Sequence, residues 1–256
     1  MTEQSIAVRL RGVAVERGGE TVWSEGTFDL PCGGVVGVIG PNGSGKTTLL
    51  ELLVGLLDPS EGSVEVLGRT PRRGDPRIGY VPQRFASTVA DDVRCRDVVA
   101  LGVTGTRWGI GRLTPAERDA VDSALAAVSA LDLAQRRMSQ LSGGQQQRIA
   151  IAQAVVGRPE LLLLDEPLAN LDLRSQQEIV SLLGALAVEH GLTVVVVVHD
   201  LNPLLPLLTS AVYLLDGHAH HDAIGEVVDP ELLSHLYGTD VRVVRTAQGD
   251  LFTRGV

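Results

Sequence analysis

The sequence predicts an α/β fold in which a mainly parallel sheet is covered by helices on both faces. Three observations predict it. Residues 35–39, 161–164 and 194–198 are short runs that are apolar at every position, the pattern of strands buried on both faces. The first run leads at once into a glycine-rich turn and then into residues 47–57, a stretch without helix breakers. The chain of 256 residues, 44% of them hydrophobic, is long enough to bury one sizeable core.

In chain order, Val35-Val36-Gly37-Val38-Ile39 reads as a buried β-branched strand, and residues 47–57 read as the helix after the turn. Residues 63–67 and 78–81 read as further strands. From about 86 to 158 strand signals stop. There Thr114-Pro115-Ala116-Glu117 has the form of a capping box with proline at the first helical position, and Val121, Leu125 and Val128 recur at helical spacing. The simplest reading is a helical subdomain inserted into an α/β core. Past Asp200 come a proline-interrupted apolar segment, a strand over 211–215 and the turn Asp216-Gly217. A short helix follows, capped by Asp229-Pro230 and stopped at Gly238. The expected organisation is one domain over 6–237, with the helical insert at about 86–158 and a short C-terminal extension over 238–256. No internal repeat or low-complexity segment interrupts it.

Bulk properties narrow the function. A formal charge of −9 argues against a general nucleic-acid binder. Cys32 and Cys95 form no CxxC pair and read as reduced thiols, as in cytosol. The first eleven residues have no apolar stretch of signal-peptide type. No run approaches the roughly 20 apolar residues of a membrane span. A soluble protein is expected, one able to dock on a membrane partner.

Three constellations carry chemistry. Of 22 Lys+Arg residues, Lys46 is the only lysine, and it lies in Gly40-Pro41-Asn42-Gly43-Ser44-Gly45-Lys46-Thr47-Thr48. The strand–loop–helix context and the spacing are those of a P-loop. In such a loop, backbone N–H groups and the following helix N-terminus cradle phosphates, the lysine reaches the β- and γ-phosphates, and the hydroxyl of Thr47 serves Mg²⁺. A compact ammonium suits that place better than the wide guanidinium fork. The core is thereby expected to be of P-loop NTPase type. Second, Leu161-Leu162-Leu163-Leu164-Asp165-Glu166-Pro167 delivers two carboxylates to the end of a buried strand, where open α/β sheets bind ligands. Asp165 is placed for the Mg²⁺ shell and Glu166 to polarise the attacking water. Third, Leu141-Ser142-Gly143-Gly144-Gln145 opens a helix: Ser142 and Gln145 suit a capping box, and the paired glycines suit close approach of backbone to an anion.

Together these motifs resemble the nucleotide-binding subunit of ATP-binding-cassette (ABC) transporters, over about residues 8–237. The resemblance implies a RecA-like core with a mainly parallel sheet, an antiparallel β subdomain and the inserted helical subdomain. It identifies Leu141-Ser142-Gly143-Gly144-Gln145 as the signature motif and Gln83 as the Q-loop glutamine, which touches Mg²⁺ and water. It identifies Asn170-Leu171-Asp172 as the D-loop and His199 as the switch histidine at the γ-phosphate. The family stacks an aromatic residue on adenine; here Arg17 stands in that place, with a guanidinium face able to stack, and Trp23 lies out of register.

The implied machine is a homodimer, head to tail, with Ser142, Gly143 and Gly144 of one copy facing the P-loop of the other. ATP with Mg²⁺ closes it and hydrolysis reopens it. The implied partners are transmembrane permease subunits and an extracytoplasmic substrate-binding protein, and the implied place is the cytoplasmic face of the membrane. Nucleic acid is not among the partners. Several segments resemble importers of manganese, zinc or iron, or of iron chelates: Val81-Pro82-Gln83-Arg84, residues 97–102, His199-Asp200-Leu201-Asn202-Pro203, and Leu236-Tyr237-Gly238 with 241–244. The alternative is a soluble non-transport ABC ATPase such as an iron–sulfur-assembly factor. His218, His220, His221 and Asp222 match no metal-ligand spacing and read as exposed residues after a turn.

Overall fold

A computed structural model describes residues 5–83, 85, 92–105, 112–245 and 251–255. Arg84, residues 86–91 and 106–111 of the expected helical insert, and 246–250 and 256 of the C-terminal extension lie outside the described residues. The chain opens with a long antiparallel hairpin, β1 (Ile6–Arg17) and β2 (Glu20–Pro31), closed by Gly18-Gly19. β4 (Glu61–Val66) pairs along the other side of β1. Repeated register shifts between β1 and β2 are the bulges that bend this ribbon.

The rest of the sheet is built on parallel strands. With β9 (His218–Ala223), the order is β4-β1-β2-β9-β8-β3-β7-β6-β5, in which the strands β3 (Val35–Ile39), β5 (Ile78–Val81), β6 (Leu161–Asp165), β7 (Thr193–Val197) and β8 (Leu208–Leu215) run parallel to one another. β9 is antiparallel to β8 and touches β2 at Ser24, so it joins the hairpin to the parallel strands. Every residue of β3, β6 and β7 is buried, which explains their unbroken apolar runs.

Two apolar layers result. Within the curl of the sheet, α1 (Lys46–Leu53) sets Leu49, Leu50, Leu52 and Leu53 against Val8, Trp23, Val38, Leu163 and Val197. The helix ends before residue 57, the end expected from its composition. Gly55 N–H turns back to the Leu52 carbonyl (3.1 Å) and Leu56 N–H to that of Glu51 (2.8 Å), a Schellman closure. The opposite face of the sheet is covered by α2 (Cys95–Thr104), α3 (Pro115–Ala127), α4 (Gly143–Val155) and α5 (Leu173–Glu189). Thr114 caps α3 in the reciprocal box read from the sequence. Two short helices, α6 (Ile224–Val227) and α7 (Pro230–Tyr237), then lead to the antiparallel pair β10 (Val241–Arg245) and β11 (Leu251–Gly255). This last element does not stand apart: Val241 is buried with Leu201, Leu204, Leu233 and Leu236, and its N–H donates to Ser234 Oγ (2.8 Å).

Candidate functional site

The strand order places four sequence-distant segments side by side. β3, β7, β6 and β5 are adjacent and parallel, so their carboxyl ends open on one edge of the sheet. The P-loop leaves β3. His199 follows β7 by two residues, Asp165 ends β6, and Gln83 follows β5 by two. The crevice outside those strand ends is where open α/β sheets take ligands.

Lys46 begins α1 and is only 6% exposed. Its ammonium group donates to the carbonyls of Gly40 (2.7 Å) and Pro41 (2.9 Å), so it is folded back on its own loop. Burial pulls its pKa below the usual lysine range, while Glu166 and then Asp165 act in the opposite sense. Gly45 precedes the helix at φ 96, and a Cβ there would come within 2.5 Å of Val22 Cγ1 and 2.7 Å of Trp23 Cδ1. The close approach of β2 therefore requires glycine, and β2 in turn props the loop. Trp23 is wholly buried beneath this contact, so it presents no face to a base. A cavity of about 310 Å³ lies over the loop, lined by Arg17, Val22, Asn42, Gly43, Lys46, Thr47, Thr48 and Glu166 among others. Arg17 stands at its rim, 3.3 Å from Glu51.

The two acids behave differently. Asp165 is 2% exposed; its Oδ2 accepts from the Thr47 hydroxyl (2.9 Å), while its Oδ1 is buried without a partner. Burial pushes the Asp165 pKa up, the Thr47 bond pulls it back, and Glu166 adds to the rise. Glu166 sits at φ 51, an unusual backbone for a residue with a Cβ. That turn aims its carboxylate outward between two groups: Gln83 Nε2 donates to Oε2 (2.6 Å), and His199 Nε2 lies 2.6 Å from Oε1. Gln83, Glu166 and His199, separated by 83 and 33 positions, are thus brought into one chain of contacts.

The orphaned Asp165 oxygen and the adjacent Thr47 hydroxyl form the all-oxygen donor set that suits Mg²⁺. A buried carboxylate with only one oxygen hydrogen-bonded is also costly to the fold. Asp165→Asn keeps an acceptor for Thr47 and removes the charge, so without nucleotide it is expected to melt higher at pH 7. A gain on the order of 1 kcal/mol corresponds to about 2–4 °C for a chain of this size. The pH dependence has a definite sign. The folded pKa of Asp165 lies above its unfolded value of 3.8, so its contribution is most favourable below 3.8. That contribution falls as pH rises through the folded pKa and stays low beyond it. The advantage of Asp165→Asn in thermal melts should therefore grow through that window and then level off; a variant melting no higher than the parent at pH 7 contradicts it.

The segment from Leu141 to Gln145 lies elsewhere. Ser142 Oγ accepts from Gln145 N (3.4 Å) and Gln145 Oε1 accepts from Ser142 N (3.1 Å), closing the expected capping box on α4. The glycines that follow have an internal reason as well as an expected external one. A Cβ on Gly144 would lie 2.7 Å from Ser175 Oγ, at the first turn of α5, and one on Gly143 would lie 3.3 Å from Leu171. Asp172 caps α5, its carboxylate accepting from Ser175 N and Ser175 Oγ (both 2.9 Å). These bonds hold its pKa below the usual carboxylate range. Ser142, Gly143, Gly144 and Asp172 do not line the cavity over the P-loop. Sequence reasoning missed α5, whose cap gives Asp172 a structural role.

The histidine-rich segment is a strand, not an exposed turn. Because residues 218–223 pair with β8, His218 and His221 are half-buried and only His220 is exposed. His220 stacks on Tyr213 at 5.0 Å, and His221 faces Phe28 at 5.8 Å on the other side. Among the described residues no group of three or more His, Cys, Asp or Glu side chains is arranged to hold a metal. Among them, too, no helix is long and apolar enough to cross a membrane.

Residues 24–169 match the sequence profile of the family described as ABC transporter. The phosphonates import ATP-binding protein PhnC 2 of Rhodopseudomonas palustris is 34% identical over 245 residues, covering 93% of this chain and 86% of that protein. The manganese transport system ATP-binding protein MntB of Bacillus subtilis is 37% identical over 195 residues, 76% of this chain and 78% of its own. Among solved structures, a metal-chelate type ABC transporter in an inward-facing conformation superposes with a TM-score of 0.84 at 30% identity, covering 98% of this chain and 97% of that one. The P-loop, the acids at the end of β6, the capped Ser142 segment and these similarities converge: the chain is an ATP-binding domain of the ABC transporter family.

Proposed function

We propose that this chain is the ATP-hydrolysing subunit of an importer, and that it powers uptake of a metal ion or metal chelate. The observation that carries the catalytic part is the Glu166 carboxylate, held at 2.6 Å by Gln83 and at 2.6 Å by His199 at the mouth of the phosphate cradle. In this reading the Lys46 ammonium exchanges its bonds to Gly40 and Pro41 for phosphate oxygens. The backbone N–H groups from Gly43 to Thr48 enclose the phosphates. Glu166 orients and deprotonates the attacking water, taking up its proton. His199 turns from Glu166 toward the γ-phosphate and steadies its charge. Gln83 fixes the other carboxylate oxygen, so that Glu166 meets the water in one orientation. Positioning and electrostatic stabilisation of this kind account for most of phosphoryl-transfer catalysis.

Thr47, Asp165 and Gln83 would hold Mg²⁺, which supplies charge neutralisation on the phosphate oxygens. Arg17 and Val22, at one side of the cavity, would meet the adenine, Arg17 by its guanidinium face. Ser142, Gly143, Gly144 and Gln145 would complete the site of a second copy, with Asp172 crossing beside them. Two copies would dock on permease subunits at the cytoplasmic face of the membrane, with an extracytoplasmic binding protein delivering cargo and no role for nucleic acid. We also propose that residues 6–237 form the cassette proper, with the helical subdomain inserted at about 86–158.

Support for metal cargo comes from the likeness to the manganese subunit and to the metal-chelate type transporter. A phosphonate is the competing cargo, favoured by the relative that matches 93% of this chain. The two separate in a reconstituted importer containing this chain and its permease. ATP-driven uptake of manganese, zinc or an iron chelate is expected, with no competition from phosphonate. Phosphonate uptake without metal uptake overturns the metal reading and leaves the catalytic one standing.

A further inference from the structure

His199 is half exposed, and Glu166 is its one hydrogen-bonding or ionic partner among the described residues. Its position therefore depends on the loop that carries it. That loop is anchored inward by Leu201 and Leu204, both wholly buried. It is also tied on its outer side. Asp200 Oδ1 accepts from Asn202 N (2.9 Å), closing a tight turn directly after the histidine. The side-chain amide of Asn202 then reaches β11, 51 residues onward. Its Oδ1 accepts from Thr253 N (2.7 Å) and from Thr253 Oγ1 (3.1 Å), and its Nδ2 donates to the Thr253 carbonyl (2.9 Å). A planar amide bonded to both backbone groups of one residue acts like an added strand and fixes orientation as well as distance. The end of α7 closes in from a second side, where burial first and the charge of Asp200 second push the Tyr237 phenol up to about 12.

We propose that Asn202 is a positioning residue. By gripping Thr253 of the C-terminal strand pair it holds the loop that sets His199 against Glu166, which makes docking of β10–β11 a condition of full ATP turnover. The inference rests on the catalytic reading given above. Misplacement of a catalytic group by about 1 Å can lower turnover by up to about a hundredfold, whereas nucleotide binding at the P-loop does not involve this grip.

The test is steady-state ATP hydrolysis by the full chain. Asn202→Leu, which removes all three bonds to Thr253, is expected to lower kcat about tenfold while KM for ATP stays within about twofold. Asn202→Asp keeps an acceptor for the Thr253 N–H and hydroxyl but sets a charged oxygen against the Thr253 carbonyl, so it should recover only part of the loss. If Asn202→Leu does not fold, Thr253→Pro removes the N–H bonded to Asn202 from the other side and reads the same split. A kcat equal to that of the parent overturns the inference, as does a parallel fall of kcat, apparent ATP affinity and melting temperature, which marks a packing role. Glu166→Gln, run alongside, separates the two levels. If it turns over ATP like the parent, the catalytic reading itself fails. If it is inactive while Asn202→Leu is unaffected, only the role of Asn202 fails.

Discussion

Glu166→Gln is expected to bind ATP with the affinity of the parent and to hydrolyse it about 10²–10⁴-fold more slowly, the range that a positioned general base supplies. The glutamine amide fits the space of the carboxylate and can still contact both Gln83 and His199, so the backbone turn at φ 51 and the packing around it persist. What disappears is the ability to take a proton from water. The comparison needs kcat from phosphate release and an equilibrium dissociation constant for ATP on the same preparation. Turnover equal to that of the parent removes Glu166 from the chemistry. Loss of ATP binding alongside turnover shows instead that the residue holds the nucleotide.

Lys46→Arg is expected to weaken ATP binding by about 10–100-fold, although the formal charge is unchanged. Charge-assisted hydrogen bonds contribute about 1.5–3 kcal/mol, and each 1.4 kcal/mol is tenfold in affinity. The ammonium group occupies a buried slot between the carbonyls of Gly40 and Pro41, and the side chain as a whole is 6% exposed. A guanidinium brings a flat fork of greater width and different bonding directions into that slot. It must push the loop outward or leave the slot, and in either case it no longer reaches between two phosphates. The contrast with the rest of the chain is informative, since 21 of the 22 Lys+Arg residues are arginine. Equilibrium ATP binding decides the matter: parental affinity in Lys46→Arg would show that charge alone is needed there.

Much of this site is legible in the sequence because its residues lie at the ends of buried parallel strands. Residues 35–39, 161–164 and 194–198 announce themselves by apolar runs, and the residues that follow each run must emerge at the same edge of the sheet. Lys46, Asp165 and His199 therefore fall at one edge of the sheet on sequence grounds alone. The same logic fails for the flanking ribbon. β1 carries Arg9, Arg11 and Gly12 amid its apolar residues and shifts register repeatedly against β2, so its period of two is broken where the sheet curls. The helix α5 is also obscured, because Asn170-Leu171-Asp172 reads as a loop motif and the cap on Ser175 is a side-chain contact.

Contacts between distant segments are the least legible part. Nothing in local pattern says that Gly144 lies against Ser175, that Trp23 closes under Gly45, or that Asn202 grips Thr253. His218, His220 and His221 follow Asp216-Gly217 as a loop would, yet pairing on both edges turns them into a strand. In each case tertiary pairing decides what local propensity leaves open.

One copy is proposed to hold half of each catalytic site, with ATP joining two copies through Lys46 and Ser142. The mass of the Glu166→Gln chain in solution, with and without ATP and Mg²⁺, tests it most directly, because that variant binds nucleotide without consuming it. Light scattering should give 27.1 kDa without nucleotide and twice that value with it. A chain that carries bound ATP yet remains at 27.1 kDa would rule out that pairing.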